Sequence, residues 1–130
     1  MAVNSPVVLL VDDHPDSVEM YTVSLLLMGF QAVSALNAED GFTRACESHP
    51  DVVVTDMTLA GASGLDLMRR LRDDARTKDA GMILLTGHAA GSTGQEANDA
   101  GCDRVVLKPC LPEDLAVQIR ALIVARRTAA

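Results

Sequence analysis

Val7-Val8-Leu9-Leu10-Val11-Asp12-Asp13 is an unbroken apolar run that ends abruptly on two carboxylates. A run without polar alternation predicts a strand covered on both faces, as in a parallel sheet packed between layers of helix. The pattern recurs along the chain. Val52 to Thr55 is followed by Asp56, Met82 to Leu85 by Thr86, and Val105 to Leu107 by Lys108. Gln31 to Ala35 is a weaker strand.

The intervening segments carry helical spacing. Val18, Tyr21, Leu25 and Met28 recur at intervals of three and four, with Pro15 opening the helix and Gly29 closing it. Ala38 to Glu47 reads as a second helix capped by Asn37. Leu65, Met68, Leu71 and Arg72 mark a third, whose outer face carries Arg69, Arg70 and Asp73. The last begins near Pro112 and buries Leu115, Ile119, Leu122 and Ile123. Between Thr86 and Asp103, Gly87, Gly91 and Gly94 sit among polar residues, so the fourth helix is expected to be short, loosely held and the most mobile part of the chain. Strand and helix alternate five times without repeats or a linker, which predicts a doubly wound α/β sandwich.

The chain of 130 residues is expected to be one domain over 1–130, with its core at about 6–126. Charges and glycines break every apolar stretch short of the roughly 18 residues needed to span a bilayer. Residues 1–6 do not read as a signal peptide, so a cytoplasmic protein is expected, without membrane association. Cys46, Cys102 and Cys110 lack paired C-x-x-C spacing and read as buried reduced thiols. A net charge of -7, no Trp, one Tyr and two Phe argue against a direct nucleic-acid partner.

In a doubly wound sheet, ligands bind beyond the carboxyl ends of the strands, where the winding direction reverses. That is where Asp12, Asp13, Asp56, Thr86 and Lys108 fall. Three neighbouring carboxylates repel one another and are best reconciled by a divalent cation; an all-oxygen donor set selects Mg²⁺. His14 and His88 stand alone and read as surface residues rather than ligands. Asp56, directly after a buried strand, is the natural nucleophile toward a phosphoryl group. Lys108 would supply the compensating cation, and Thr86 a hydroxyl donor next to the glycine-rich connection. Phosphorylation would then act as a population shift.

Taken together, Val11-Asp12-Asp13-His14-Pro15, Val54-Thr55-Asp56-Met57, Gly64, Thr86-Gly87-His88-Ala89 and Lys108-Pro109 give the chain a resemblance to the receiver domain of two-component response regulators. The resemblance spans nearly the whole chain and implies a flavodoxin-like, five-stranded parallel sheet of order 2-1-3-4-5 with five helices. It further implies Asp56 as phosphoacceptor, and Asp12, Asp13, Asp56 and the Thr58 backbone carbonyl around Mg²⁺. Thr86 would be the switch hydroxyl and Lys108 the phosphate contact before a cis Pro109. The donor would be a phosphohistidine of a sensor histidine kinase or a histidine phosphotransfer protein. Such a domain is a signalling phosphoacceptor rather than an enzyme, with self-phosphorylation and autodephosphorylation only. Thr58 and His88 resemble positions that tune hydrolysis of the acyl phosphate. Val105 departs from the pattern, standing where such domains usually carry Tyr or Phe. Ala60 and Cys110 replace a common proline and a frequent phenylalanine.

Three other readings compete. An aspartyl-phosphate phosphatase would need a second acid where Thr58 stands, and a substrate cap for which 130 residues leave little room. A flavodoxin would need a Ser, Thr and Gly phosphate loop where Asp12-Asp13-His14-Pro15-Asp16 stands. A receiver-like binding module that no longer accepts phosphate is kept open by Val105 and the weak fourth helix.

Overall fold

A computed structural model describes residues 5–87 and 93–128. In chain order these form β1 (Val7–Val11), α1 (Pro15–Leu27), β2 (Gln31–Ala35), α2 (Ala38–Ser48), β3 (Val52–Asp56), β4 (Thr58–Leu59), β5 (Ala62–Ser63), α3 (Gly64–Asp73), β6 (Gly81–Thr86), α4 (Thr93–Asp99), β7 (Arg104–Leu107) and α5 (Pro112–Thr128). The main sheet is parallel throughout, in the order β2-β1-β3-β6-β7. Counted without the small β4–β5 ribbon, this is the expected 2-1-3-4-5 arrangement.

Alternate residues of the strands feed two separate cores. Leu9, Val11, Val53, Met82 and Leu84 face one, closed by Leu67, Met68 and Leu71 of α3 and by Ala45 and Ala97. Val8, Leu10, Val52, Val54, Ile83 and Leu85 face the other, closed by Tyr21 and Leu25 of α1 and by Leu115, Ile119 and Leu122 of α5. Two-sided burial is why these strands show no polar alternation.

The helix ends follow local chemistry. Pro15 sits at the start of α1, and the chain leaves that helix through Gly29 at φ 96°, a left-handed conformation that costs glycine nothing. The Asn37 side chain accepts from the Asp40 N–H at 2.8 Å, capping α2 as expected. Helix α4 is indeed short, although its Ala97 is fully packed. The expectation of mobility there concerns a segment partly outside the described residues, as do His88 and Ala89.

The ribbon of β4 and β5 was not evident from the sequence. Thr58 pairs with Ser63 and Leu59 with Ala62, around a two-residue turn whose Gly61 has φ 71°. Glycine in a two-residue connection was the available hairpin signal, but strands this short carry no periodicity.

Candidate functional site

The sheet register assembles the site. Val11 lies opposite Thr55, which makes Asp12 and Asp56 neighbours one step further on. Asp56 lies opposite Leu85, so Thr86 is next, and Thr86 lies opposite Leu107, with Lys108 following. β1 is flanked by β2 and β3, the strands on either side of the reversal, and the polar residues collect at its carboxyl end.

Asp12 is 6%, Asp56 8% and Thr86 4% exposed, low values for polar side chains. Lys108 Nζ stands 2.9 Å from Asp56 Oδ1, the expected ion pair. The Thr86 hydroxyl lies 3.5 Å from Met57 Sδ. The backbone supports these positions from behind. The Lys108 N–H donates to Thr86 O at 2.8 Å, and the Met57 N–H to Leu85 O at 2.9 Å. The Lys108–Pro109 bond is cis. Tyr21 donates its hydroxyl to Cys110 O at 2.5 Å, tying α1 to the loop after Lys108.

Gly64 is fixed by the site rather than by its helix. A Cβ there would lie 2.1 Å from Asp56 O, and the Gly64 N–H donates to Met57 O at 2.7 Å. Only a residue without a side chain lets α3 begin so close to the loop that carries Asp56.

His14 is closer to the chemistry than its reading as a lone surface residue allowed. Its ring is 69% exposed, yet Nδ1 lies 3.0 Å from Asp12 Oδ1 and 3.1 Å from Asp13 Oδ1. A hydrogen bond donated by the ring to Asp12, then the charges of Asp13 and Asp12, hold the imidazole above its ordinary pKa. The backbone N–H of His14 also donates to Asp12 Oδ1, at 2.9 Å. Asp12, Asp13, His14 and Asp56 can each present a ligand atom within 4.8 Å of the others.

Asp13 Oδ1 is buried and makes no hydrogen bond among the described residues, despite its distance to His14. Such an orphaned carboxylate oxygen costs free energy unless a cation claims it. With carboxylates for hard oxygen donors, the pocket fits Mg²⁺. The remaining expected residues sit nearby: Thr58 is exposed at the start of the ribbon, and Val105, half-buried on β7, packs against the core that α3 closes. The three cysteines are free and half-buried.

Comparison with known proteins agrees with this geometry. The family model of the response regulator receiver domain matches residues 8–120. The phosphate regulon transcriptional regulatory protein PhoB of Pseudomonas aeruginosa is 31% identical over 121 residues, 93% of this chain and 52% of that protein. The transcriptional regulatory protein KdpE of Mycobacterium tuberculosis is 33% identical over 123 residues, 95% of this chain and 53% of that protein. The chain thus spans about half the length of these curated relatives. Among solved structures, a CheY-like receiver domain protein from Methanospirillum hungatei superposes with a TM-score of 0.90 at 20% identity, covering 98% of this chain and all of that one. A receiver domain protein from Clostridium thermocellum gives 0.86 at 25% identity, covering 96% of this chain and 99% of that one. The fold, the acidic pocket and the match over residues 8–120 place the chain in the response regulator receiver domain family, the signalling domains of two-component systems.

Proposed function

We propose that Asp56 accepts a phosphoryl group from a phosphohistidine donor, a sensor histidine kinase or a histidine phosphotransfer protein. A carboxylate oxygen of Asp56 attacks phosphorus, a P–O bond forms, the P–N bond breaks, and the imidazole nitrogen keeps the electron pair. The observation that carries this reading is the pairing of Asp56 with Lys108 at 2.9 Å beside the Asp12 and Asp13 carboxylates. Asp12, Asp13, Asp56 and the Thr58 backbone carbonyl would hold Mg²⁺, which neutralises charge on the transferring phosphoryl oxygens.

Once the anhydride forms, Lys108 transfers its ion pair from the carboxylate to a phosphoryl oxygen, and the Thr86 hydroxyl donates to another. Thr86 ends β6, so its inward movement is passed to the connection leading to α4 and biases a protein-interaction surface between two states. A tenfold bias needs about 1.4 kcal/mol, within reach of one charge-assisted hydrogen bond. Val105 brings no aromatic ring to β7, so Thr86 carries the signal without a rotating ring. Hydrolysis of the anhydride by the domain itself resets it.

The unit proposed to do this is the single domain 1–130, in a cytoplasmic setting where the kinase acts. The relatives are named transcriptional regulators, so control of transcription through a domain other than this one is the output that fits. The domain's net charge of -7 argues against a nucleic-acid surface of its own. Incubation with acetyl phosphate and Mg²⁺ should add one phosphoryl group by intact mass, and omission of Mg²⁺ or the substitution Asp56→Asn should abolish the adduct. An adduct that survives Asp56→Asn would move the acceptor elsewhere.

A further inference from the structure

We propose that His14 is a ligand of the acidic pocket, and that it shifts the site's selectivity toward a borderline divalent cation such as Co²⁺ over Mg²⁺. The inference rests on the reading of Asp12, Asp13 and Asp56 as cation-holding residues and adds a nitrogen donor to them.

The donor atoms, now held by hydrogen bonding, stand at the spacing of ligands around one ion. Adjacent ligand atoms of an octahedral ion, each about 2.1 Å from the metal, stand about 3.0 Å apart. His14 Nδ1 lies 3.0 Å from Asp12 Oδ1 and 3.1 Å from Asp13 Oδ1. Opposite ligands across such an ion are about 4.2 Å apart, and all four candidate atoms, Asp56 included, fall within 4.8 Å of one another. Small side-chain adjustments therefore close the set around one ion.

Two further observations point the same way. The main chain that carries the imidazole is held at the pocket, because the backbone N–H of the same residue is bound to Asp12 Oδ1 at 2.9 Å and the next residue is Pro15, which starts α1. Asp13 Oδ1, the acceptor on the far side, is buried without a hydrogen bond among the described residues. The ring is 69% exposed, which leaves the pocket open for water and for exchange of the ion.

A nitrogen donor changes selectivity. Mg²⁺ is served by oxygen and keeps its waters, whereas imidazole favours the later first-row ions in the order Mn²⁺ below Co²⁺. Any carboxylate site ranks Co²⁺ somewhat above Mg²⁺, so the informative quantity is the change in that ratio when the nitrogen is removed.

Calorimetric titration of the whole chain with CoCl₂ and, separately, MgCl₂ at pH 8 should be run on the wild type and on His14→Gln. The expected result is that the ratio of Co²⁺ to Mg²⁺ affinity falls at least tenfold in His14→Gln. Paramagnetic displacement of the His14 ring resonances by Co²⁺ in the wild type should accompany it. An unchanged ratio, or His14 resonances unmoved by bound Co²⁺, overturns the proposal and leaves His14 as a hydrogen-bonding neighbour of Asp12. Mg²⁺-dependent labelling of the wild type by acetyl phosphate, read in parallel, separates this failure from failure of the phosphoacceptor reading itself.

Discussion

Charged groups gather at both ends of the sheet, and the two ends treat them in opposite ways. At the amino end, Asp103 Oδ2 accepts from the Met82 N–H at 2.8 Å, from Arg72 Nη2 at 3.0 Å and from Arg126 Nη1 at 3.3 Å. Arg72 also donates to Gly101 O, Lys78 O and Ala80 O, while Arg126 reaches Asp79 O. Asp51 accepts from the Val7 N–H at 2.8 Å. At the carboxyl end, three carboxylates share the pocket with Lys108 and the His14 ring, and Asp13 Oδ1 makes no hydrogen bond among the described residues. A charge cluster with its valences filled is structure; one left wanting a cation has been kept for chemistry. Size is no guide to the difference. A cleft of about 580 Å³ lies at the amino end, yet its Asp51, Arg76 and Arg126 are already bonded.

The largest effect that would break this contrast is at the amino end. Arg72→Ala removes a donor from three carbonyls and one of the three donors that Asp103 Oδ2 accepts from, and should cost about 2–4 kcal/mol in urea unfolding followed by circular dichroism. A loss below about 1 kcal/mol would mean that the clamp is ornamental. Gly64→Ala comes next. Its methyl cannot coexist with Asp56 O, so a loss of about 1–3 kcal/mol is expected together with impaired phosphoryl uptake.

The sign should reverse at the carboxyl end. Asp13→Asn removes one of the mutually repelling acids and should stabilise the protein by about 1 kcal/mol in Mg²⁺-free buffer, an advantage that Mg²⁺ erases because the variant binds it less well. Destabilisation in the same buffer would show that the carboxylates are not in conflict. The smallest effect sharpens the contrast by pH. Hydrogen bonds from Arg76 lower the Asp74 carboxyl from 3.8 to about 2. A group whose folded value is depressed contributes stability above its unfolded value, and that contribution is lost as pH falls through the folded one. Asp74→Asn should therefore flatten the stability curve between about pH 4 and pH 2, because it lowers the neutral plateau slightly and leaves the acid limb below about pH 2 unchanged.

How much was legible in the sequence follows from which forces act locally. The strands around Leu9, Val53 and Ile83 announced themselves because two-sided burial removes polar alternation, and the site followed because Asp12, Asp56, Thr86 and Lys108 end those strands. Asn37 and Pro15 were readable because capping is decided within a turn. Arg72 was not, because its partners Lys78, Ala80, Gly101 and Asp103 are brought together only by the tertiary fold, and from the sequence it resembles any charged residue at the edge of an apolar stripe. His14 was underrated for a related reason. Its place two residues after Asp12 gave no hint that a tight turn would fold the ring back over both carboxylates.

The strand that delivers Lys108 is the last among the described residues and the outermost on its side of the sheet. Nearly all of the domain must emerge from the ribosome and register correctly before the acids on β1 and β3 acquire their counter-charge. A chain interrupted before β7 would carry every aspartate of the site and still be mute, so the capacity to take up phosphate doubles as a certificate that this domain has been made through β7 and folded.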